Sequence, residues 1–333
     1  MAVPFSRYTE SQLRLLLSVL GADEDTALEE IAARLERLRR GLEPEDEISL
    51  ILSWLGQCRL VHKLGQEQLP IASADTYRVP DLLTVFDFDG GTVPVLIEVK
   101  KRDPRDPATL QEGTLSFHPR YVRYAELVGL PLLIAWKHRT FWTLFDSTLA
   151  AQADGQHRIG FFEAMEQNLL GILAGDFSYR VAPGTAIRMR IQKLSKPDDE
   201  GRFRGVIQDT HFVNADGERL PNLPELTRLG SLFVFWENEV EQVEEDGAVI
   251  QSFVIPDLEY GEFASRTLGK LLHSFAAITR RDVNLREVMH DREHWVHNSG
   301  EFRRMVDVGA SYGAFTDVFR QVPRALPTFL RRP

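Results

Sequence analysis

Arg78-Val79-Pro80-Asp81-Leu82-Leu83-Thr84-Val85-Phe86-Asp87-Phe88-Asp89-Gly90-Gly91-Thr92-Val93-Pro94-Val95-Leu96-Ile97-Glu98-Val99-Lys100 reads as a β-hairpin that carries three convergent charges. Two runs rich in β-branched and aromatic residues flank Asp89-Gly90-Gly91, a turn signal that supplies φ > 0 positions. In the second run Val95, Ile97 and Val99 alternate with Leu96, Glu98 and Lys100, so both charged side chains leave one face of the strand. The turn sets the position of Asp81. With Asp89-Gly90 as the loop it falls opposite Glu98; with Gly90-Gly91 it falls opposite Lys100, at about 4.5–5.5 Å between Cβ atoms in either case. A three-residue loop would turn it to the wrong face unless a bulge restored the phase.

Two carboxylates and a lysine on one sheet face suit a hard divalent cation. Asp81 and Glu98 offer oxygen ligands and the Val99 carbonyl a third, while Mg²⁺ ordinarily keeps waters and takes phosphate oxygens for the rest. Such an ion lowers the pKa of a bound water and neutralises a phosphoryl oxygen, and Lys100 stabilises developing negative charge or orients the attacking water. This is phosphodiester hydrolysis chemistry. The competing view makes Asp81 and Lys100 an ion pair on a solvated edge strand.

Pro80-Asp81, a sixteen-residue gap and then Glu98-Val99-Lys100 resembles the PD-(D/E)xK nuclease superfamily over roughly residues 40–175. The resemblance implies an α/β fold: a restriction-endonuclease-like mixed sheet flanked by helices. It implies Mg²⁺ or Mn²⁺ as cofactor and Asp81, Glu98 and Lys100 as catalytic residues. It also implies a glutamate on the helix ahead of the hairpin that completes the metal site. Glu47 is the candidate, and the alternative is that Glu45, Asp46 and Glu47 only favour the helix dipole. Lys101 and Arg102, next to the site, are the expected phosphate contacts.

The helix carrying Glu47 is signalled at Pro44 and bears Ile48, Ile51, Trp54 and Leu55 before Gly56. Before it, residues 6–40 read as two leucine-striped helices, an accessory over 1–41 and a possible homodimer surface. After it, Cys58 to Leu69 makes a first strand. Cys58 and His62 have no evident nucleophile or base partner there. Beyond the hairpin, a helix opening at Ser116-Phe117-His118-Pro119 places Tyr121, Tyr124, Ala125 and Val128 on one side and closes at Gly129-Leu130-Pro131. Leu132 to Lys137 follows as a buried strand, parallel to the one bearing Glu98. Thr140 to Asp146 adds another, and Phe162 to Leu173 reads as a covering helix ended by Gly175. The nuclease-like domain thus spans 42–180.

From 181 to 333 the pattern changes to a second, α+β domain, expected to recognise a substrate, a protein partner or an activating signal. Ile187–Ile191, Phe203–Phe212, Leu232–Trp236 and Ala248–Ile255 are strand-like, with a hairpin turn at Asn214-Ala215-Asp216-Gly217. From Glu262 onward the pattern reads as helical, through Leu268, Leu271, Leu272 and Phe275, again near Val283–Val296, and at Phe315–Phe319. His290 and His294 are four apart, but the His-Glu-x-x-His order is absent and no distant ligand is identifiable.

The 333 residues carry a formal net charge of −10, which opposes a simple nucleic-acid binder. Locally the balance reverses: residues 98–139 hold eight Lys/Arg against five Asp/Glu, a net +3. The single cysteine excludes a disulfide framework, and neither a secretory leader nor an apolar span is expected, so a cytoplasmic setting fits. The leading expectation is a metal-dependent endonuclease acting on nucleic acid, DNA favoured over RNA, in phage defence, restriction or repair. The alternatives are a catalytically inactive nuclease-like fold that binds nucleic acid or protein, and a structural interaction protein.

Overall fold

A computed structural model of the protein describes residues 44–65, 67–102, 113–196, 203–226, 229, 238–257, 259–269 and 299–331. The expected N-terminal helices, the strand over Leu232–Trp236, the helical patterns over 271–275 and 283–296, and His290 and His294 lie outside the described residues.

Helix α1 (Pro44–Leu55) starts on a proline followed by Glu45, Asp46 and Glu47, all of which suit a helix N-terminus. Ile48, Ile51, Leu52 and Leu55, at helical spacing, are buried, each worth roughly 1.5–3 kcal/mol. Gly56, at φ 84, ends it. Strands β1 (Cys58–Lys63), β2 (Leu82–Phe88) and β3 (Gly91–Lys101) form an antiparallel meander. Phe88 pairs with Gly91, leaving Asp89 and Gly90 as a two-residue turn with φ of 50 and 78. Positive φ at both positions is what the twist of a tight hairpin requires.

Strand β4 (Thr114–Phe117) leads into helix α2 (Pro119–Val128), capped by His118 and closed by Gly129 in the left-handed conformation. Helix α2 buries Tyr121 and Ala125, while Val128, expected on the same face, is exposed. The chain returns as β5 (Leu132–His138), parallel to β3, and turns back into β6 (Phe141–Asp146). The resulting five-stranded mixed sheet has the order β1-β2-β3-β5-β6. β3 is therefore central, flanked by β2 and β5 rather than standing at an edge. Val95, Ile97 and Val99 face α1, and Leu96 packs on the α2 side with Ile134 and Trp136. Among the described residues no helix is long and apolar enough to cross a membrane.

Strands β7 (Ala151–Ala153) and β8 (Gln156–Gly160) complete a small sheet with β4, in the order β4-β8-β7. The covering helix expected from Phe162 to Leu173 is broken into α3 (Phe161–Glu166) and a π-helical turn, Leu170–Ala174. Asn168 breaks it. Its side-chain oxygen accepts from Leu144 N at 2.9 Å and Leu170 N at 3.1 Å, and its amide donates to the Trp142 carbonyl at 3.3 Å. The residue thus satisfies the open edge of β6 instead of continuing a helix.

Beyond it lie β9 (Ser178–Val181), β10 (Ala186–Lys193), β11 (Gly205–Val213), β12 (Glu239–Glu245), β13 (Ala248–Val254), β14 (Glu259–Glu262), α4 (Ser299–Ser311) and β15 (Phe315–Phe319). They build a four-stranded sheet, β11-β10-β13-β12, and a three-stranded one, β14-β9-β15. Phe315–Phe319 is a strand and not the helix expected there. It pairs with β9 across Phe315↔Val181 and Phe319↔Ser178, a long-range pairing that outweighs its local pattern. One hydrophobic core runs from Ile48 and Ile97 through Tyr179 to Phe302 and Phe315, so it crosses the expected boundary near residue 181.

Candidate active site

The hairpin register assembles the site. Leu82 pairs with Ile97, which sets Asp81 across from Glu98. The Asp81 carbonyl accepts from Leu64 N at 2.9 Å, and its Oδ2 accepts from Val99 N at 2.7 Å. Asp81 is thereby fixed to both neighbouring strands. Val99, whose carbonyl is an expected metal ligand, contributes its N–H to this arrangement.

Glu98 is 1% exposed although it sits in the middle of a charged motif. Its Oε1 accepts from the Lys100 ammonium, and its Oε2 is buried with no hydrogen-bond partner. Burial pushes its pKa up to about 7; Lys100 opposes the shift and the nearby Asp81 carboxylate reinforces it. A buried carboxylate with an open oxygen beside a second carboxylate is electrostatically short of a cation. The donor set fits a hard divalent ion on that ground. Among the described residues no group of three His, Cys, Asp or Glu side chains gathers to hold a metal, and the described carboxylates here are those of Asp81 and Glu98.

Lys100 and Glu98 are two apart on one strand face, where the period of two brings their side chains together. The Lys100 ammonium also lies 3.5 Å from the Tyr121 hydroxyl and 5.0 Å from the centre of its ring. Tyr121, buried on α2, lies beside Glu98, and burial together with that carboxylate pushes its own pKa up, so the phenol stays protonated. The Arg78 guanidinium rests over the same ring at 5.0 Å.

Tyr121 and Arg78 are the site residues that sequence reasoning missed. The signal for Tyr121 was present. A right-handed crossover that returns with Leu132 opposite Leu96 carries the first turn of α2 over the far end of β3, where Lys100 lies.

The other expected residues are placed elsewhere. Glu47 lies on the opposite face of the sheet, where α1 packs. It is 1% exposed, pairs with Lys137 and accepts from the Trp142 indole N–H at 3.0 Å. It is not brought together with Asp81 and Glu98. The physical reason is the sheet period: Lys137 and Trp142 pair across β5 and β6 on the face occupied by Val99 and Ala135, one residue out of phase with Glu98 and Ile134. Lys101 pairs in register with Lys137 and falls on that same α1 face. Arg102 stands past the strand end, its backbone tied to Lys137 O at 3.1 Å and to His138 Nδ1 at 3.1 Å, its side chain exposed.

No protein-family model matches the chain, and no curated protein does. Among solved structures it is similar to Hjc, a Holliday junction resolvase from the archaeal hyperthermophile Archaeoglobus fulgidus. The identity is 19%, covering 34% of this chain and 85% of that one, with a TM-score of 0.24. At that score the likeness transfers no residue role.

Proposed function

We propose that the protein is a metal-dependent endonuclease that hydrolyses nucleic-acid phosphodiester bonds, DNA in preference to RNA. The observation that carries this reading is Glu98: a carboxylate inside the fold, one oxygen unpartnered, opposite Asp81 and beside Lys100. Mg²⁺ or Mn²⁺ would be held by Asp81 and Glu98 with the Val99 carbonyl, leaving positions for water and substrate oxygens. When bound, such an ion supplies an acidified water and neutralises charge on the phosphoryl group.

The chain's own residues do the rest. Asp81 is oriented by the Val99 N–H, and Glu98 is kept dry by the strands around it, which strengthens its attraction for a cation. Lys100, steadied by the Tyr121 ring and hydroxyl, presents a positive charge to the oxygen on which negative charge develops. In this reading the resemblance to PD-(D/E)xK nucleases extends to activity, with phage defence, restriction or repair as the setting and the cytoplasm as the place. Residues 181–333 would recognise the substrate, a protein partner or an activating signal, and a homodimer would cut both strands.

Calorimetric titration with Mg²⁺, Mn²⁺ and Ca²⁺ tests the site directly. The expected result is an isotherm that Asp81→Ala abolishes; unchanged affinity in a folded Asp81→Ala chain rejects the assignment. Cutting of a mixed pool of DNA and RNA, supported by Mg²⁺ or Mn²⁺ better than by Ca²⁺, then tests the activity. A second reading, a nuclease-like binding module without turnover, is favoured by the two-carboxylate donor set alone. A metal isotherm with no cutting of any polymer would support it.

A further inference from the structure

Many of the described arginines of this acidic chain meet carboxylates. Eight stand in ion pairs, among them Arg59 with Asp87, Arg180 with Asp317, Arg219 with Asp209 and Arg303 with Asp307. Arg78, Arg120 and Arg123 have no ion-pair partner among the described residues, and they cluster.

Three observations place them together. Arg78 N donates to the Arg120 carbonyl at 3.2 Å, which lays the segment leading to Asp81 against the start of α2. Arg120 and Arg123 are three apart on that helix, where side chains are neighbours at about 5–6 Å between Cβ atoms. His118, which caps the helix by accepting from Arg120 N at 3.1 Å, has its pKa lowered first by burial and then by Arg120, Arg123 and Arg78 in turn. All three charges are therefore felt at one point. One of them is partly anchored, since Arg120 Nη1 donates to Ala74 O at 3.3 Å. The cluster joins the active site through Tyr121, whose ring has Arg78 at 5.0 Å and Lys100 at 5.0 Å.

Unpaired like charges repel one another, and 49 acidic side chains in the sequence offer ample neutralisation elsewhere. No described residue supplies these three with a counter-charge, which suits an anionic ligand from outside. Guanidinium groups match phosphate oxygens bidentately, and a row of them suits a polymer of phosphates better than one isolated anion.

We infer that Arg78, Arg120 and Arg123 form a phosphate-binding ridge that takes the nucleic-acid backbone next to the phosphodiester presented to Asp81, Glu98 and Lys100, with Tyr121 as the spacer. The ridge rests on the nuclease reading for the identity of its ligand. It replaces Lys101 and Arg102 in the role expected of them, and it contacts backbone rather than bases, so it fixes position on the polymer without reading sequence.

The test is fluorescence anisotropy of the full chain at low salt, with chelator present so that metal plays no part. The probes are a labelled DNA duplex, the matching RNA and an acidic peptide. The Arg78→Ala/Arg120→Ala/Arg123→Ala chain is expected to bind nucleic acid at least about tenfold more weakly, with the slope of log affinity against log salt reduced by roughly one per lost contact. Arg180→Ala, on a distant ion pair, should change neither. The single exposed reversal Arg123→Glu weakens binding as well and guards against misfolding of the triple variant.

Several results would overturn the ridge: unchanged affinity and slope in folded variants, no nucleic-acid binding by the wild type, or tighter binding of the acidic peptide than of either nucleic acid. The two readings separate cleanly. A chain that loses the slope but never bound metal keeps the ridge and loses the nuclease; one that binds metal through Asp81 but keeps its slope does the reverse.

Discussion

The central sheet carries a buried glutamate paired with a lysine on each face, and the two differ in one atom's surroundings. On the α1 face Glu47 meets Lys137 with one oxygen, while the other accepts from the Trp142 indole at 3.0 Å. On the α2 face Glu98 meets Lys100 with one oxygen, and the other has no partner. Each glutamate is 1% exposed. The first pair is closed, with its lone pairs used by the fold. The second is open, with its remaining oxygen buried and without a hydrogen-bond partner. Burial alone therefore does not mark a site; the unfilled coordination does.

The largest expected contrast is in metal affinity. Glu98→Gln should lower Mg²⁺ or Mn²⁺ affinity by more than about a hundredfold in calorimetry, as loss of one of two charged ligands to a hard ion implies, whereas Glu47→Gln should leave the isotherm in place. An isotherm that responds to Glu47 as strongly as to Glu98 would erase the distinction between the faces.

Stability should run the opposite way. Glu47→Gln strips the half-buried Lys137 of its counter-charge and should cost about 3 kcal/mol in chemical denaturation. Glu98→Gln removes a carboxylate that burial disfavours, so the metal-free chain at pH 8 should be no less stable than the wild type. A matching loss in both variants would mean that Glu98 is a structural pair like the other.

The pH dependence follows from the same asymmetry. Glu98 has its pKa raised by burial from 4.5 to about 7, and Asp176, buried next to Glu262, is raised from 3.8 to about 8. A group that holds its proton more tightly in the folded state adds stability that is full below its unfolded pKa and is lost as pH rises through the folded value. The metal-free chain should thus lose thermal stability between about pH 4 and pH 8. Metal affinity has the reverse trend, because only ionised Glu98 is a ligand: it should climb with pH and level off above about 7, with a proton released per ion at pH 6 and none at pH 8.5. A flat affinity between pH 5.5 and 8 would contradict the burial of Glu98.

Much of the α2 face was legible in the sequence because it depends on local rules. Asp89-Gly90-Gly91 signals a tight turn, and either two-residue loop within it puts Asp81 on the face of Glu98 and Lys100; the fold takes Asp89-Gly90, which sets Asp81 across from Glu98. The parallel return at Leu132 followed from the crossover. The α1 face was not legible in the same way. Whether Glu47 reaches the site depends on which face α1 covers, and that is decided by packing of Ile48, Ile51 and Leu55 against Val95, Ile97 and Val99. The strand period did carry a usable warning for Lys101, which shares the parity of Val99 and not of Glu98. Asn168 and Phe315–Phe319 went unread for a different cause. A side chain that satisfies the edge of β6, and a strand that pairs with β9 more than a hundred residues away, leave no local pattern.

The smallest expected effect tests how Tyr121 binds the open pair into the rest of the face. Tyr121→Phe keeps the ring, so Arg78 and Lys100 retain their positions over it, but it removes the hydroxyl that lies 3.5 Å from Lys100 and favours the charged form of Glu98. The loss of that hydroxyl should move the pH profile of metal affinity upward by under about one unit and cost about 0.5–1.5 kcal/mol of stability. At pH 8.5, where Glu98 is ionised either way, affinity should match the wild type. Tyr121→Leu removes the ring as well, and only that variant should also weaken the hold of Arg78 on a phosphate backbone. If Tyr121→Phe lowers metal affinity equally at every pH, the phenol acts on the metal directly, and the α2 face holds a third ligand that the α1 face lacks.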